Sequence, residues 1–257
     1  MKILNLVNRV RYFFDKFLFI FFKNPKNLET FKDAWKGEPV VIVGNGPSLK
    51  QTRLDDFSSF KSIGMNKINL IFESTNWRPS VITCVNRHVI SQNRGFFLST
   101  SIPVFIAWQN RFFLRRRKSK NIEFFFNSNK VYFSRALHDS AGAGATVTFT
   151  ALQLAHYLGA DPVILVGVDH NFNAVGAPHE TQVREGDDPN HFHPDYFASG
   201  VKWNLPDLET SEVGYKIAHD EFQRDGRRIF DATVGGKLRI FPKISVDDAL
   251  SILKGDK

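Results

Sequence analysis

Three asparagines, two glycine-rich turns and a set of histidines are the side chains whose types and spacing could do chemistry. Asn45 lies within Gly44-Asn45-Gly46-Pro47-Ser48, Asn66 closes Ser62-Ile63-Gly64-Met65-Asn66, and Asn86 closes Val81-Ile82-Thr83-Cys84-Val85-Asn86. An amide carries both donor and acceptor, which suits ribose hydroxyls, base edges or phosphate. Gly44 and Gly46 permit positive φ and a close approach of ligand to backbone. Pro47 fits a first helical turn and Ser48 can cap a helix. That turn therefore predicts free N–H groups and an anion or phosphate site. Gly142-Ala-Gly-Ala-Thr146-Val147-Thr148 opens a second one. Gly167-Val168-Asp169-His170 adds a carboxylate and an imidazole, and His191 and His193 follow in a polar stretch. An imidazole near neutral pKa suits removal of a hydroxyl proton.

Strands must deliver these groups. Val40-Val41-Ile42-Val43 is a continuous β-branched run, as in a parallel strand buried on both faces. Residues 62–66 and 81–86 read as strands that end in Asn, 102–108 and 162–169 as further buried strands, with shorter aromatic strands at 122–126 and 130–133 and a last strand after Arg228. Apolar residues at 147, 151, 154, 155 and 158 predict a helix stopped by Gly159. Further helices are expected over 49–60, 209–226 and 241–254. The pattern is α/β: a single Rossmann-like domain over 37–257 with a mostly parallel sheet, whose strand ends line one crevice. Residues 171–207 form a long polar, lid-like insert.

The chain has 257 residues and a formal net charge of +8, which favours anionic partners. Cys84 is its one cysteine, which excludes internal disulfides and multi-cysteine metal sites. Residues 1–36 form an N-terminal amphipathic helical segment. Within it, residues 1–24 read as a basic, aromatic helix too interrupted by charge to span a bilayer but suited either to its inner-leaflet surface or to packing against the protein or a partner subunit. Residues 26–37 read as a second short helix with a glycine stop. The run Arg111-Phe-Phe-Leu-Arg-Arg-Arg-Lys-Ser-Lys120 reads as a solvated basic loop or helix face, with contact to lipid phosphate or an anionic acceptor as the alternative, and no nucleic-acid module accompanies it. No signal pattern with a cleavage site is present, so the expected location is cytoplasmic, with peripheral contact on the inner membrane through residues 1–24 as one option.

Gly44-Asn-Gly-Pro-Ser48 together with Gly167-Val-Asp169 resembles the bacterial sialyltransferases of glycosyltransferase family 42. It also resembles a group of polysaccharide-locus proteins that share a domain with archaeal 6-hydroxymethylpterin diphosphokinases. The resemblance covers residues 40–235. It implies a Rossmann-like sheet with a lid, and no metal requirement. It also implies a cytidine nucleotide at Gly44, Asn45, Gly46 and Ser48, nucleotide and sugar contacts from Asn66 and Asn86, and matches at Thr146, Gly167 and Asp169. The place of the family's catalytic histidine reads Lys202-Trp203-Asn204, so His191, then His193 or His170, are the candidate bases.

These readings lead to a glycosyltransferase that needs no cofactor. Its donor is a nucleotide sugar, such as a CMP-linked acid sugar, and its acceptor a cell-surface glycan or glycolipid. Nucleic acid is not among its partners. One rival is an ATP- and Mg²⁺-dependent diphosphokinase with Asp169, Asp187 or Asp188 on the metal. Another is a non-catalytic scaffold in polysaccharide assembly.

Overall fold

The computed structural model describes residues 2–22, 26–114, 121–172 and 175–255. Two helices come first, α1 (Lys2–Phe22) and α2 (Lys26–Glu29). The strands of the body are β1 (Val40–Val43), β2 (Lys61–Met65), β3 (Val81–Cys84), β4 (Val104–Ala107) and β5 (Ile122–Phe125), with α3 (Arg87–Gln92) and α4 (Arg94–Ser99) between β3 and β4. Then come β6 (Asn127–Val131), β7 (Ala141–Ala143), α5 (Val147–Leu158) and β8 (Val163–Val166). The insert carries β9 (Thr181–Val183) and β10 (Lys202–Asn204); α6 (Leu208–Arg224), β11 (Ile229–Asp231) and α7 (Val246–Lys254) complete the chain.

Seven strands form one sheet in the order β11-β8-β1-β2-β3-β4-β5, and every pairing in it is parallel. The expected α/β architecture with a parallel, Rossmann-like sheet is the one observed. Successive side chains of a strand point to opposite faces. Val40 and Ile42 accordingly join a core with α5 and α6, while Val41 and Val43 join a second core with α3, α4 and α7. Burial on both faces explains why all four are 0% exposed and why the run carries no polar alternation.

The chain walks outward from β1 to β5, then returns with β8 on the other side of β1. Strand order reverses between β1 and β8, so a crevice opens beyond their carboxyl ends. Both glycine-rich turns of the sequence lead into that crevice.

The single helix expected over 49–60 is instead two 3₁₀ turns, Pro47–Gln51 and Leu54–Phe57. Ser48 does not cap; the cap position is Gly46, with no side-chain bond. Two competing demands break the helix. The Ser48 hydroxyl is engaged by Asp169, and the Asp55 carboxylate accepts from the N–H groups of Asn76 and Trp77, which ties this segment to the β2–β3 connection. The strand expected at 130–133 lies slightly earlier, as β6, and pairs with β7 in a separate two-stranded sheet.

α1 lies against the body. Trp108 Nε1 donates to the Asp15 carbonyl at 3.1 Å, the Arg111 guanidinium pairs with the Asp15 carboxylate at 2.7 Å, and Phe19 meets Trp108 edge-on. Arg111 is thus a buried ion-pair partner rather than part of a solvated face; residues 115–120 of that basic run, and 23–25 of the N-terminal stretch, lie outside the described residues. No helix among the described residues is long and apolar enough to cross a membrane.

Candidate active site

The turn after β1 is closed upon itself. Gly44 N–H donates to the Val166 carbonyl and Gly46 N–H to the Gly167 carbonyl, at 2.8 and 2.9 Å, so the β1–β8 ladder runs on into the loops. A Cβ on Gly44 would lie 2.1 Å from the Gly167 carbonyl oxygen, and one on Gly46 would lie 1.8 Å from Asp169 Oδ2. The glycines are therefore required for contact between two backbone segments and a carboxylate. That carboxylate accepts from the Ser48 N–H at 3.0 Å and the Ser48 hydroxyl at 2.7 Å. The anion this turn binds is Asp169, one of the chain's own groups. Burial raises the Asp169 carboxyl above the ordinary value; the Ser48 bonds oppose this and the Asp231 charge adds to it.

The crevice itself is a cavity of about 220 Å³. Gly44, Asn45 and Gly46 from the first turn, Thr146 and Thr148 from the start of α5, and Gly167, Asp169 and His170 after β8 contribute to its wall. Asn86 reaches it from β3, and His179, Asn190, His191, Phe197 and Trp203 from the insert close over it. Among the described residues the wall contains no Lys or Arg, and its one carboxylate is Asp169. Asn45 is 8% exposed, and among the described residues its Oδ1 has no hydrogen-bond partner. A buried acceptor left open in this way is costly unless a ligand fills it. Thr146 caps α5, its hydroxyl accepting from the Thr148 N–H at 3.3 Å.

Other expected site residues fall elsewhere. Pro47 and Ser48 are not in the wall, because the 3₁₀ turn carries them away from it. Asn66 sits behind the wall at φ 54°, its Oδ1 accepting from the Cys84 thiol at 3.3 Å. Burial pushes that thiol's pKa up, as for a small core residue. Asn86 reaches the wall, but its Oδ1 caps α3 by accepting from His88 and Val89. His193 lines a different surface groove, with Lys50 and Arg53.

The insert supplies the best-organised group. His191 Nδ1 lies 2.7 Å from Asp188 Oδ2, and the imidazole stacks on the Tyr196 ring at 3.8 Å and 4°. Asp188 also accepts from the Asn190 N–H at 2.9 Å. Burial works against the Asp188 charge, but the hydrogen bond and charge of His191, the Asn190 N–H and Arg184 outweigh it, and the carboxyl sits below its ordinary value. Lys67 Nζ donates to the Tyr196 carbonyl at 2.6 Å beneath this cluster, and burial lowers its pKa to about 8 against the opposing pull of Asp188. Phe192 N–H donates to the Asn45 carbonyl at 3.0 Å, so the insert is fastened to the first turn.

Two further histidines reach the wall. His170, at φ 52°, faces Glu212 of α6 at 3.0 Å, and His179 faces Asp207 at 3.2 Å. The partnerships with Asp188, Glu212 and Asp207 were not legible in the sequence. His179 comes beside the Lys202-Trp203-Asn204 place only through the β9–β10 pairing, where Asn204 Nδ2 donates to its carbonyl, a proximity that no local sequence signal carries.

The family model described as 6-hydroxymethylpterin diphosphokinase MptE-like matches residues 16–174. The chain belongs to this MptE-like family. The match runs from within α1 through the first turn and β8 to just beyond His170, and stops short of most of the insert. Among solved structures, the MAf glycosyltransferase from Magnetospirillum magneticum AMB-1 superposes with a TM-score of 0.54 at 16% identity. The alignment covers 88% of this MptE-like chain and 38% of that one. At such identity the likeness is one of fold. No curated protein matches the sequence.

Proposed function

We propose that this MptE-like chain is a glycosyltransferase acting from a nucleotide-sugar donor on a glycan or glycolipid hydroxyl. The observation that carries the reading is the oriented His191–Asp188 pair over a cavity at the sheet's switch point. With Nδ1 engaged by Asp188, Nε2 is left to serve the cleft. The acceptor oxygen attacks the anomeric carbon, the bond from that carbon to the donor phosphate oxygen breaks, and the hydroxyl proton passes to His191 Nε2. The nucleotide leaves with the bonding electron pair. Asp188 holds the tautomer and steadies the imidazolium that forms.

The leaving phosphate would be met by the positive end of α5 and the Thr146 and Thr148 hydroxyls, while the open Asn45 Oδ1 would accept from a ribose hydroxyl or from the base. A wall without cations suits one phosphate better than two, which supports a CMP-type donor over a nucleoside diphosphate sugar. The cavity is below the roughly 300 Å³ at which ligand pockets usually begin, so the insert must shift to admit a whole donor. No metal has a role in this reaction as proposed.

The rival phosphoryl transfer needs a free carboxylate for Mg²⁺. Both oxygens of Asp169 already accept from Ser48 and those of Asp188 engage His191 and Asn190, while Asp187 is exposed and does not line the cavity; this supports the glycosyl reading.

A thermal-shift panel of CMP, CDP, UDP, GDP and ATP, each with and without Mg²⁺, tests it, because a ligand that binds only the folded state raises the melting temperature. A rise with CMP in the absence of metal is expected. A rise confined to ATP with Mg²⁺ would overturn the proposal in favour of the diphosphokinase named by the family.

A further inference from the structure

α1 has two apolar faces, and only one is used. Tyr12, Asp15 and Phe19 turn inward, with Phe19 1% exposed. Val10, Phe13, Phe14, Phe17, Ile20 and Phe21 turn outward, each between 52% and 69% exposed. At about 3.6 residues per turn these six share a single stripe, and Arg11 and Lys16 fall on its opposite flanks. The Arg11 side chain is 71% exposed. A contiguous aromatic patch of this size on a water-facing helix marks a docking surface.

We infer that α1 lies flat on an anionic lipid surface, its phenylalanine stripe among the acyl chains and Arg11 and Lys16 at the headgroups. Charge decides between this occupant and a second copy. The acidic residue of α1, Asp15, faces Arg111 at 2.7 Å and Arg11 at 3.8 Å, so two guanidinium groups meet one carboxylate and a positive charge is left over. The rims of the stripe are cationic, and the whole chain carries +8. Two such faces would repel, whereas acidic headgroups complement both rims. The sequence after Leu114, a residue that shares a groove with Leu18 and Phe22, continues with five cations in six positions, Arg115-Arg-Arg-Lys-Ser-Lys120. Since no described helix can span a bilayer, the helix rests on the membrane surface, as basic aromatic helices do.

The test is co-sedimentation of the full chain with vesicles of phosphatidylcholine alone and with about one-third phosphatidylglycerol, together with the variant Phe13→Glu/Phe17→Glu/Ile20→Glu. These positions are exposed, so the variant should keep the far-ultraviolet spectrum and melting temperature of the parent. The parent should bind the acidic vesicles at least about tenfold more tightly than the neutral ones, with binding weakened by salt. The variant should lose about tenfold or more, and Arg11→Glu a smaller part. Equal binding by parent and variant would overturn the inference. So would a parent that ignores vesicles but elutes as a dimer that the variant dissociates. Nucleotide-induced thermal shifts, read on the same proteins, should be unchanged in both variants, so failure here is separable from failure of the proposed reaction.

Discussion

The turn between β1 and the first 3₁₀ segment and the insert at 171–207 both border the cleft, yet they are built on opposite principles. The turn is closed internally: its N–H groups go to Val166, Gly167 and Asp169, and its glycines are there to let β8 come close. The insert has a backbone bond to the turn, from the Phe192 N–H to the Asn45 carbonyl, and is held mainly by side chains, with His191 on Asp188, Tyr196 under His191 and Lys67 on the Tyr196 carbonyl. Backbone ladders belong to the cooperative core, whereas side-chain clusters on a loop can open locally. A rigid floor beneath a movable cover is what a cleft smaller than its proposed ligand requires.

The largest expected effect comes from breaking the floor. Gly44→Ala sets a methyl against the Gly167 carbonyl, a clash between backbones that no rotamer relieves. Loss of soluble folded protein is expected, read by expression and circular dichroism. Gly46→Ala need only displace the Asp169 carboxylate, at a cost of about 1–3 kcal/mol, measured by urea unfolding. If both variants were as stable as the parent, the floor would not be the rigid partner.

Next is the cover. His191→Ala should lower the transferase rate by about 10²–10⁴ and, by leaving the buried Asp188 carboxylate without its imidazole, also loosen the insert, whereas His193→Ala, outside the cleft, should leave the rate within about threefold. Donor-turnover assays on both variants decide it; equal losses would move the base elsewhere.

The two carboxyls should also titrate in opposite senses. Asp188 is held below its ordinary 3.8, so it stabilises the insert above that pH, and the contribution goes as pH falls through its folded value. Asp169 is raised above 3.8, so its contribution is complete below that value and lost as pH rises through its folded one. Acidification below 3.8 should therefore open residues 181–204 to pepsin while the sheet's circular dichroism persists. Simultaneous loss of both would make floor and cover one unit.

The smallest effect is expected at Asn45. Its Oδ1 serves no internal bond among the described residues, so Asn45→Ala should change stability by less than about 0.5 kcal/mol. Nucleotide affinity should fall about tenfold, the worth of one hydrogen bond. Titration calorimetry would show it.

Much of the floor was legible. Val40–Val43 and Val163–Val166 announce doubly buried strands, and Thr146 and Gly159 bracket α5 with a cap and a left-handed stop, because these signals depend on neighbours within a few residues. The aromatic stripe of α1 follows from helical periodicity alone. The amphipathic reading could not tell which apolar residues face the body; Trp108 and Arg111, some ninety positions away, decide that by binding Asp15. In the same way Gly-Asn-Gly-Pro-Ser reads as an open phosphate turn, and only the arrival of Asp169 from 121 residues away fills it. The histidines were visible as candidates, but Asp188, Glu212 and Asp207 as their partners were not. Strands and caps are chosen by local dihedrals and burial period, which sequence carries directly. A carboxylate's partner is chosen by which loops a parallel sheet brings to one edge, and that exists only once the chain has closed.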